Sequence, residues 1–178
     1  MSLTGVPVAS VAMLEAYGIL TGIQGEPDRG EALDLFAKMY GPMIGTGPVM
    51  DYIGQTGLDA LKGADYLKTA PSKYQSNIEY ADSAIGQNLQ GIAKVLLSGF
   101  GSQVFYTMHG GYDTHAGELE NHARLWNDLS TAISDFLADL DEHDRGDDAV
   151  VMIFSEFGRR IRDNGSGTDH GSGGVAFI

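Results

Sequence analysis

The sequence contains no cysteine and few basic residues. The absence of cysteine excludes disulfides, a thiol nucleophile, iron–sulfur clusters and thiolate zinc sites, so any metal must be held by Asp, Glu, His or Asn. Lys and Arg together number 11 against 24 Asp and Glu, which gives a net charge of −13. This charge argues against a nucleic-acid partner, because such proteins need a basic face to replace phosphate counterions. There is also no apolar run of about 18 residues, so the sequence predicts no membrane span.

Glycine is abundant, with 25 residues among 178, which is about twice the usual share of roughly 7%. The glycines cluster at 41–47, 99–101, 110–111 and 165–174 and predict tight turns between elements. The length suits one domain overall. Within it, residues 1–77 are poorly patterned and largely helical, whereas 78–178 form a clearer α/β segment. The apolar run at 174–178 resembles a strand cut in mid-run, so we expect the chain to be a fragment of a longer protein.

The spacing of apolar residues predicts helices and three strands in alternation. The helices are predicted at 8–20, 30–40, 49–67, 83–100 and 116–142, and the strands at 103–108, 149–154 and 174–178. The uninterrupted run AVVMIF at 149–154 is typical of a strand buried on both faces. A strand, a long helix and a second buried strand indicate a parallel crossover. We therefore expect an α/β fold with a mostly parallel sheet and flanking helices.

A polar cluster follows or precedes each predicted strand: HGGYDTH at 109–115, SEFGRR at 155–160 and TDHG at 168–171. Loops at the carboxyl ends of parallel strands share one edge of the sheet. We therefore expect the following side chains to meet there: Asp113, His115, Glu156, Asp169 and His170. Carboxylate with imidazole suits zinc, manganese or iron, whereas carboxylates alone would suit magnesium or calcium. Arg159 or Arg160 could bind a phosphate or sulfate.

Structural interpretations of the same residues stay open on spacing alone. Asp113 or Thr114 could cap the following helix, and Asp169 with His170 could be an ordinary part of a glycine-rich loop. The spacing predicts surface positions for His122 and His143. Trp126 lies at core spacing along the helix predicted at 116–142.

Four segments together resemble the bacterial family called domain of unknown function 1501, which is placed in the alkaline phosphatase and sulfatase superfamily. The segments are GGYDTH at 110–115, ENHARLWNDLSTAISDFLADL at 120–140, VVMIFSEFGRR at 150–160 and NGSGTDHG at 164–171. The resemblance is specific from residue 78 to residue 178. It implies an alkaline phosphatase-like sheet with a site for one or two divalent ions, zinc or manganese, at its strand ends.

The same resemblance implies roles for individual residues. The metal ligands implied for this chain are Asp113, His115, Glu156, Asp169 and His170. In this sequence, Ser155-Glu156 stands at the place where the superfamily usually has Asp-His. In the hypothesis of a hydrolase, Arg159 would stabilise the oxyanion of a small anionic ester substrate. Superfamily enzymes take a Ser or Thr nucleophile from an amino-terminal strand, but residues 1–77 show no such pattern.

The sequence is therefore compatible with two main functions. The first is a metal-dependent hydrolase of phosphate or sulfate esters. The second is a non-catalytic exported protein that keeps the fold with a structural or vestigial metal site. A carbohydrate- or surface-binding accessory protein is a weaker third, because the chain has one Trp. The resemblance implies a periplasmic or exported location, and the oligomeric state is not predicted.

Overall fold

The computed structural model describes residues 8–10, 29–56, 72, 74–99, 101–156 and 158–178. Residues 48–56 are helical, and the other elements are β1 (Val8–Ser10), α1 (Arg29–Tyr40), a 3-10 helix (Gly41–Met43), α2 (Ala84–Leu97), β2 (Val104–Tyr106), α3 (Glu118–Glu142), a second 3-10 helix (Gly146–Asp148), β3 (Gly158–Asp163) and β4 (Thr168–Gly171). The described residues up to 75 and from 94 to 106 form one compact unit. Those from 76 to 93 and from 107 to 178 form a second.

In the first unit, β1 pairs with β2 in parallel, with Val8 opposite Val104 and Ser10 opposite Tyr106. The predicted helix at 8–20 is therefore wrong for residues 8–10, because β1 finds a partner in the β-prone residues Val-Phe-Tyr of β2. Residues 11–20 lie outside the described part. The predicted strand at 103–108 is confirmed in a shorter form as β2. Helix α1 confirms the prediction at 30–40. The helix predicted at 49–67 is confirmed to residue 56, and 57–67 are not among the described residues.

The core of the second unit combines Tyr80 and the buried α2 residues Ile85, Leu89, Ile92 and Ala93 with one face of α3. The buried residues of α3 recur every three or four positions: Leu125, Leu129, Ala132, Phe136, Asp139 and Leu140. This confirms the predicted helix at 116–142, and α2 confirms the one at 83–100. Trp126, which its spacing places in the core, is 38% exposed, and Leu137, another apolar residue of α3, is 39% exposed. The buried stripe is thus narrower than the run of apolar residues.

Residues 76–81 are fixed to the carboxyl-terminal half of α3 by hydrogen bonds. The Tyr80 hydroxyl donates to the buried Asp139 Oδ2 at 2.7 Å, and the Ala81 N–H donates to Asp135 Oδ2 at 3.0 Å. The Asn77 N–H donates to Glu142 Oε2 at 3.0 Å. Polar contacts along α3 therefore hold this segment in place.

The predicted buried strand at 149–154 is corrected by the structure. Its described residues form one antiparallel bridge, Ile153 with Phe177, instead of a continuous ladder. Alternate side chains point outward, so that Val150 is 83% exposed and Met152 is 57% exposed. An apolar run marks a doubly buried strand only where both faces are covered, and here the alternate residues are half-buried on one face only. The predicted strand at 174–178 contributes that same single bridge.

The glycine-rich segment around Asp169 and His170, which the sequence predicts to be a loop, is largely an antiparallel hairpin of β3 and β4. Arg159 lies opposite His170, and Asp163 lies opposite Thr168. The Asn164 side chain closes the turn, since its Oδ1 accepts from Ser166 N at 3.2 Å and from Gly167 N at 3.0 Å. An Asn that bonds the backbone ahead of it builds a turn from polar groups alone.

The described residues thus contain one short parallel pair and one antiparallel hairpin, and the mostly parallel sheet with flanking helices stays a prediction. Among the described residues, no helix combines the length and apolar character that a bilayer crossing requires.

Candidate metal centre

The candidate metal centre brings together Asp113, His115 and His170. Each offers one ligand atom, and these atoms lie within 4.8 Å of one another. Asp113 Oδ1 lies 2.8 Å from His170 Nε2 and 3.2 Å from His115 Nε2. Asp113 and His115 come from the segment between β2 and α3, and His170 comes from β4. The site therefore forms where the β3–β4 hairpin meets that segment.

The carboxylate of Asp113 is held in its ionised form. The hydrogen bond from His170 lowers the pKa of Asp113 most strongly, and the Arg159 guanidinium lowers it further. A carboxylate must be deprotonated to bind a metal, so Asp113 is ready to act as a ligand at neutral pH. All three side chains are half-exposed or more, with 56% for Asp113, 50% for His115 and 60% for His170.

Asp169, a fourth predicted ligand, lies behind His115. Its Oδ1 is 3.4 Å from His115 Nδ1, on the side of the ring away from Asp113. The contact with His115 is the main cause of the lowered pKa of Asp169, and Asn164 contributes as well. A carboxylate at the far nitrogen of a ligating imidazole orients the ring. Asp169 therefore supports His115 and is not part of the three-residue cluster.

Glu156, the fifth predicted ligand, is also outside that cluster. It borders an open cleft of about 480 Å³. The cleft residues are Ser155, Glu156, Gly158, His170, Gly171, Ser172 and Gly174. The structure thus brings three of the five predicted ligands together, and the cleft touches that cluster through His170.

Arg159 joins the hairpin to the segment that carries Asp113. Its Nη1 donates to Asp113 Oδ1 at 2.7 Å, and its Nη2 donates to the carbonyl oxygens of Thr114 and Thr168. Its Nε donates to Thr168 Oγ1 at 3.0 Å. The side chain is 15% exposed. These contacts direct the guanidinium to protein groups, and the oxyanion role of Arg159 stays a prediction.

Glu118 and Thr168 complete this arrangement and were not among the predicted site residues. The Thr168 hydroxyl donates to Glu118 Oε2 at 2.8 Å, which is the main cause of the lowered pKa of Glu118. The Glu118 N–H donates to the Ser166 carbonyl at 3.1 Å. Glu118 therefore anchors the hairpin to the first turn of α3, where the helix dipole favours a carboxylate.

The predicted cap of α3 is corrected as well. The N-cap residue is Gly117 with φ of 61°, and no side chain caps the helix. Thr114 Oγ1 lies 2.9 Å from His122 Nε2, which is also 3.1 Å from the Tyr112 carbonyl oxygen. His122 is 23% exposed, so it is partly buried at the surface position that its spacing predicts. It holds the segment just before the metal cluster.

Tyr112 packs the same segment onto α3. Its ring makes edge-to-face contacts with His122 and Trp126, each with centroids 5.6 Å apart. Trp126 makes a similar contact with Phe177 at 5.6 Å. Burial raises the pKa of the Tyr112 hydroxyl. Trp126 thus packs with aromatic neighbours near the surface.

A second group of possible ligands, Asp139, Glu142 and His143, lies at the end of α3. Its members already make structural contacts, because Asp139 accepts from Tyr80 and Glu142 accepts from Asn77. His143 Nδ1 lies 2.7 Å from the Asp139 carbonyl oxygen, and the His143 side chain is 27% exposed. His143 is therefore partly buried at its predicted surface position.

The second unit thus combines helices and a β-hairpin, and it carries a cluster of two histidines and one carboxylate beside a polar cleft. The family model described as Protein of unknown function (DUF1501) matches residues 58–178, and the chain belongs to this family. The match confirms the family resemblance read from the sequence. No curated protein and no solved structure matches the chain.

Proposed function

We propose that this protein is a metal-dependent hydrolase of phosphate or sulfate esters, as in the alkaline phosphatase-like superfamily. The observation that carries the proposal is the convergence of ligand atoms from Asp113, His115 and His170 within 4.8 Å. The three residues come from two segments more than 50 positions apart in sequence, so the fold assembles the cluster.

The donor set fits a divalent transition metal. Two imidazoles and one carboxylate suit zinc or manganese, and three protein ligands are typical of catalytic zinc sites. A bound ion would supply Lewis-acid polarisation of the ester oxygen. The exposure of the three side chains leaves room for a small substrate beside them.

The surrounding residues have distinct roles in this proposal. His170 and then Arg159 keep Asp113 ionised, Arg159 also holds its carboxylate in place, and Asp169 orients the His115 ring. Ser155 and Glu156 border the cleft, where the alcohol part of the ester would lie. Such supporting contacts commonly change metal affinity about 10–100-fold when they are removed.

The alternative is a non-catalytic protein with a structural metal site. One observation favours it: Arg159, a cationic side chain in contact with the cluster, donates to Asp113, Thr114 and Thr168. These contacts leave it poorly placed to stabilise an oxyanion. In this alternative the ion would hold the β3–β4 hairpin against the segment before α3.

The test is hydrolysis of p-nitrophenyl phosphate and p-nitrophenyl sulfate by the zinc- or manganese-loaded chain. The proposal predicts metal-dependent turnover that the substitution Asp113→Asn abolishes. Stoichiometric metal binding without turnover of either ester would favour the structural alternative. Metal-independent turnover that survives Asp113→Asn would contradict the proposal.

A further inference from the structure

The cleft beside the metal cluster has the size of a small-molecule site. Its volume of about 480 Å³ falls within the roughly 300–1,000 Å³ typical of small-molecule sites. His170 belongs both to its lining and to the metal cluster. A substrate whose ester group reaches His170 would therefore place its remaining part in this cleft.

The charge of the cleft comes from one carboxylate. Glu156 is exposed in it, beside the hydroxyl-bearing Ser155 and Ser172, and the described lining contains no Lys or Arg. The two arginines that follow Gly158 make other contacts. Arg159 bonds Asp113 and Thr168, and the Arg160 Nε donates to the His170 carbonyl at 3.2 Å.

The glycines of the lining shape the cleft in two ways. A Cβ on Gly158 would meet backbone atoms of Gly171 and Ser172 at 2.8 Å, so this glycine allows two chain segments to approach closely. A Cβ on Gly174 would meet no atom within 4 Å. The space at Gly174 is therefore open and can be filled by substitution.

We propose that the cleft binds a protonated amine on the alcohol part of the ester, with Glu156 as its counter-charge. This inference rests on the proposed function and names the substrate class of the same site. An ammonium group would pair with the Glu156 carboxylate, and the Ser155 and Ser172 hydroxyls would accept its remaining hydrogen bonds. Because the chain carries a net charge of −13, an ester whose amine offsets part of the phosphate charge is repelled less than an ester without an amine.

The experiment compares two phosphate monoesters of similar length, 2-aminoethyl phosphate and propyl phosphate, by calorimetric titration of the zinc-loaded chain. We expect 2-aminoethyl phosphate to bind about fivefold more tightly, which is the upper range for an exposed ion pair. Glu156→Gln should bring the two affinities to about the same value. Glu120→Gln removes the same charge from an exposed position of α3 and should preserve the preference.

Different results separate this inference from the proposed function. Equal binding of the two esters to the wild-type chain, or a preference that survives Glu156→Gln, would overturn the inference alone. Binding of zinc without binding of either phosphate ester would overturn the inference, whereas the proposed function is decided separately by turnover of p-nitrophenyl phosphate and p-nitrophenyl sulfate. Gly174→Leu places a larger side chain in the lining of the cleft and should weaken binding of both esters while zinc affinity is unchanged. Undiminished binding to that variant would place the esters elsewhere and contradict the inference.

Discussion

Arg159 Nη1 lies 2.7 Å from Asp113 Oδ1, across 46 positions of sequence. Nη2 of the same guanidinium donates to the carbonyl oxygens of both Thr114 and Thr168. The candidate ligand Asp113 is thus fixed by the hairpin that also carries His170. The geometry of the site therefore depends on the docking of this hairpin.

Thr168→Val tests that docking without a change in side-chain shape. The variant loses the hydroxyl that accepts from Arg159 Nε and donates to Glu118 Oε2, so Arg159 and Glu118 lose their common partner. We expect zinc affinity to fall about tenfold, as for other supporting contacts of metal ligands. The measurement is calorimetric titration with zinc, and Thr131→Val, at an exposed position of α3, is the control. Equal affinities of the two variants would mean that this contact does not position the ligands.

Gly167→Ala tests the close approach of the hairpin turn to His115. A Cβ at this buried glycine would lie 2.9 Å from the His115 carbonyl carbon and 3.0 Å from its oxygen. Because these are backbone atoms, the turn or the His115 segment must shift. We expect weaker zinc binding and a lower Tm. Gly110→Ala, whose Cβ would meet nothing within 4 Å, should leave both unchanged. A wild-type zinc affinity for Gly167→Ala would contradict the packing described.

Glu142 should make stability depend on pH. Hydrogen bonds from the Asn77 side chain and backbone, and then from Ser76, lower its pKa below the ordinary 4.5. A lowered folded-state pKa stabilises the fold above the ordinary value, and this contribution is lost as the pH falls through the folded-state pKa. Glu142→Gln should therefore reduce the urea midpoint clearly at pH 7 and much less at pH 3. A difference from wild type that is the same at both pH values would refute this role.

Leu140 should be a principal source of stability in the second unit. It is fully buried on α3, with 0% of its surface exposed. Leu140→Ala should lower the free energy of unfolding by about 2–5 kcal/mol, because it leaves a cavity. Leu119→Ala removes the same atoms from a side chain that is 84% exposed, and it should change the free energy of unfolding by less than about 0.5 kcal/mol. Urea denaturation measures both, and similar losses for the two variants would show that Leu140 is not in a core.

The sequence predicts the helices well because their apolar period depends on local spacing. Helix α3 matches its predicted range within two residues. The apolar run at 149–154 misleads, because the composition of a strand does not tell whether both of its faces are covered. The β3–β4 hairpin was also missed, since its order comes from polar bonds such as those of Asn164. Apolar periodicity cannot reveal such bonds.

The residues of the site also fall into those that the sequence predicts and those that it does not. Asp113, His115 and His170 belong to short motifs of ligand-type residues, and such motifs are visible in one sequence. Glu118 and Thr168 act through a bond between positions 50 apart, and neither is a residue type that marks a metal site by itself. A carboxylate in the first turn of α3 was the one available signal for Glu118.

The central claim is that Asp113, His115 and His170 hold one divalent ion, and calorimetric zinc titration tests it most directly. We expect one zinc per wild-type chain. We expect His170→Ala to lower zinc affinity by more than the roughly 10–100-fold that removal of a supporting contact costs. His143→Ala, in the second group of possible ligands, should bind zinc as the wild type does. Unchanged zinc binding by His170→Ala, or its loss in His143→Ala alone, would contradict the claim.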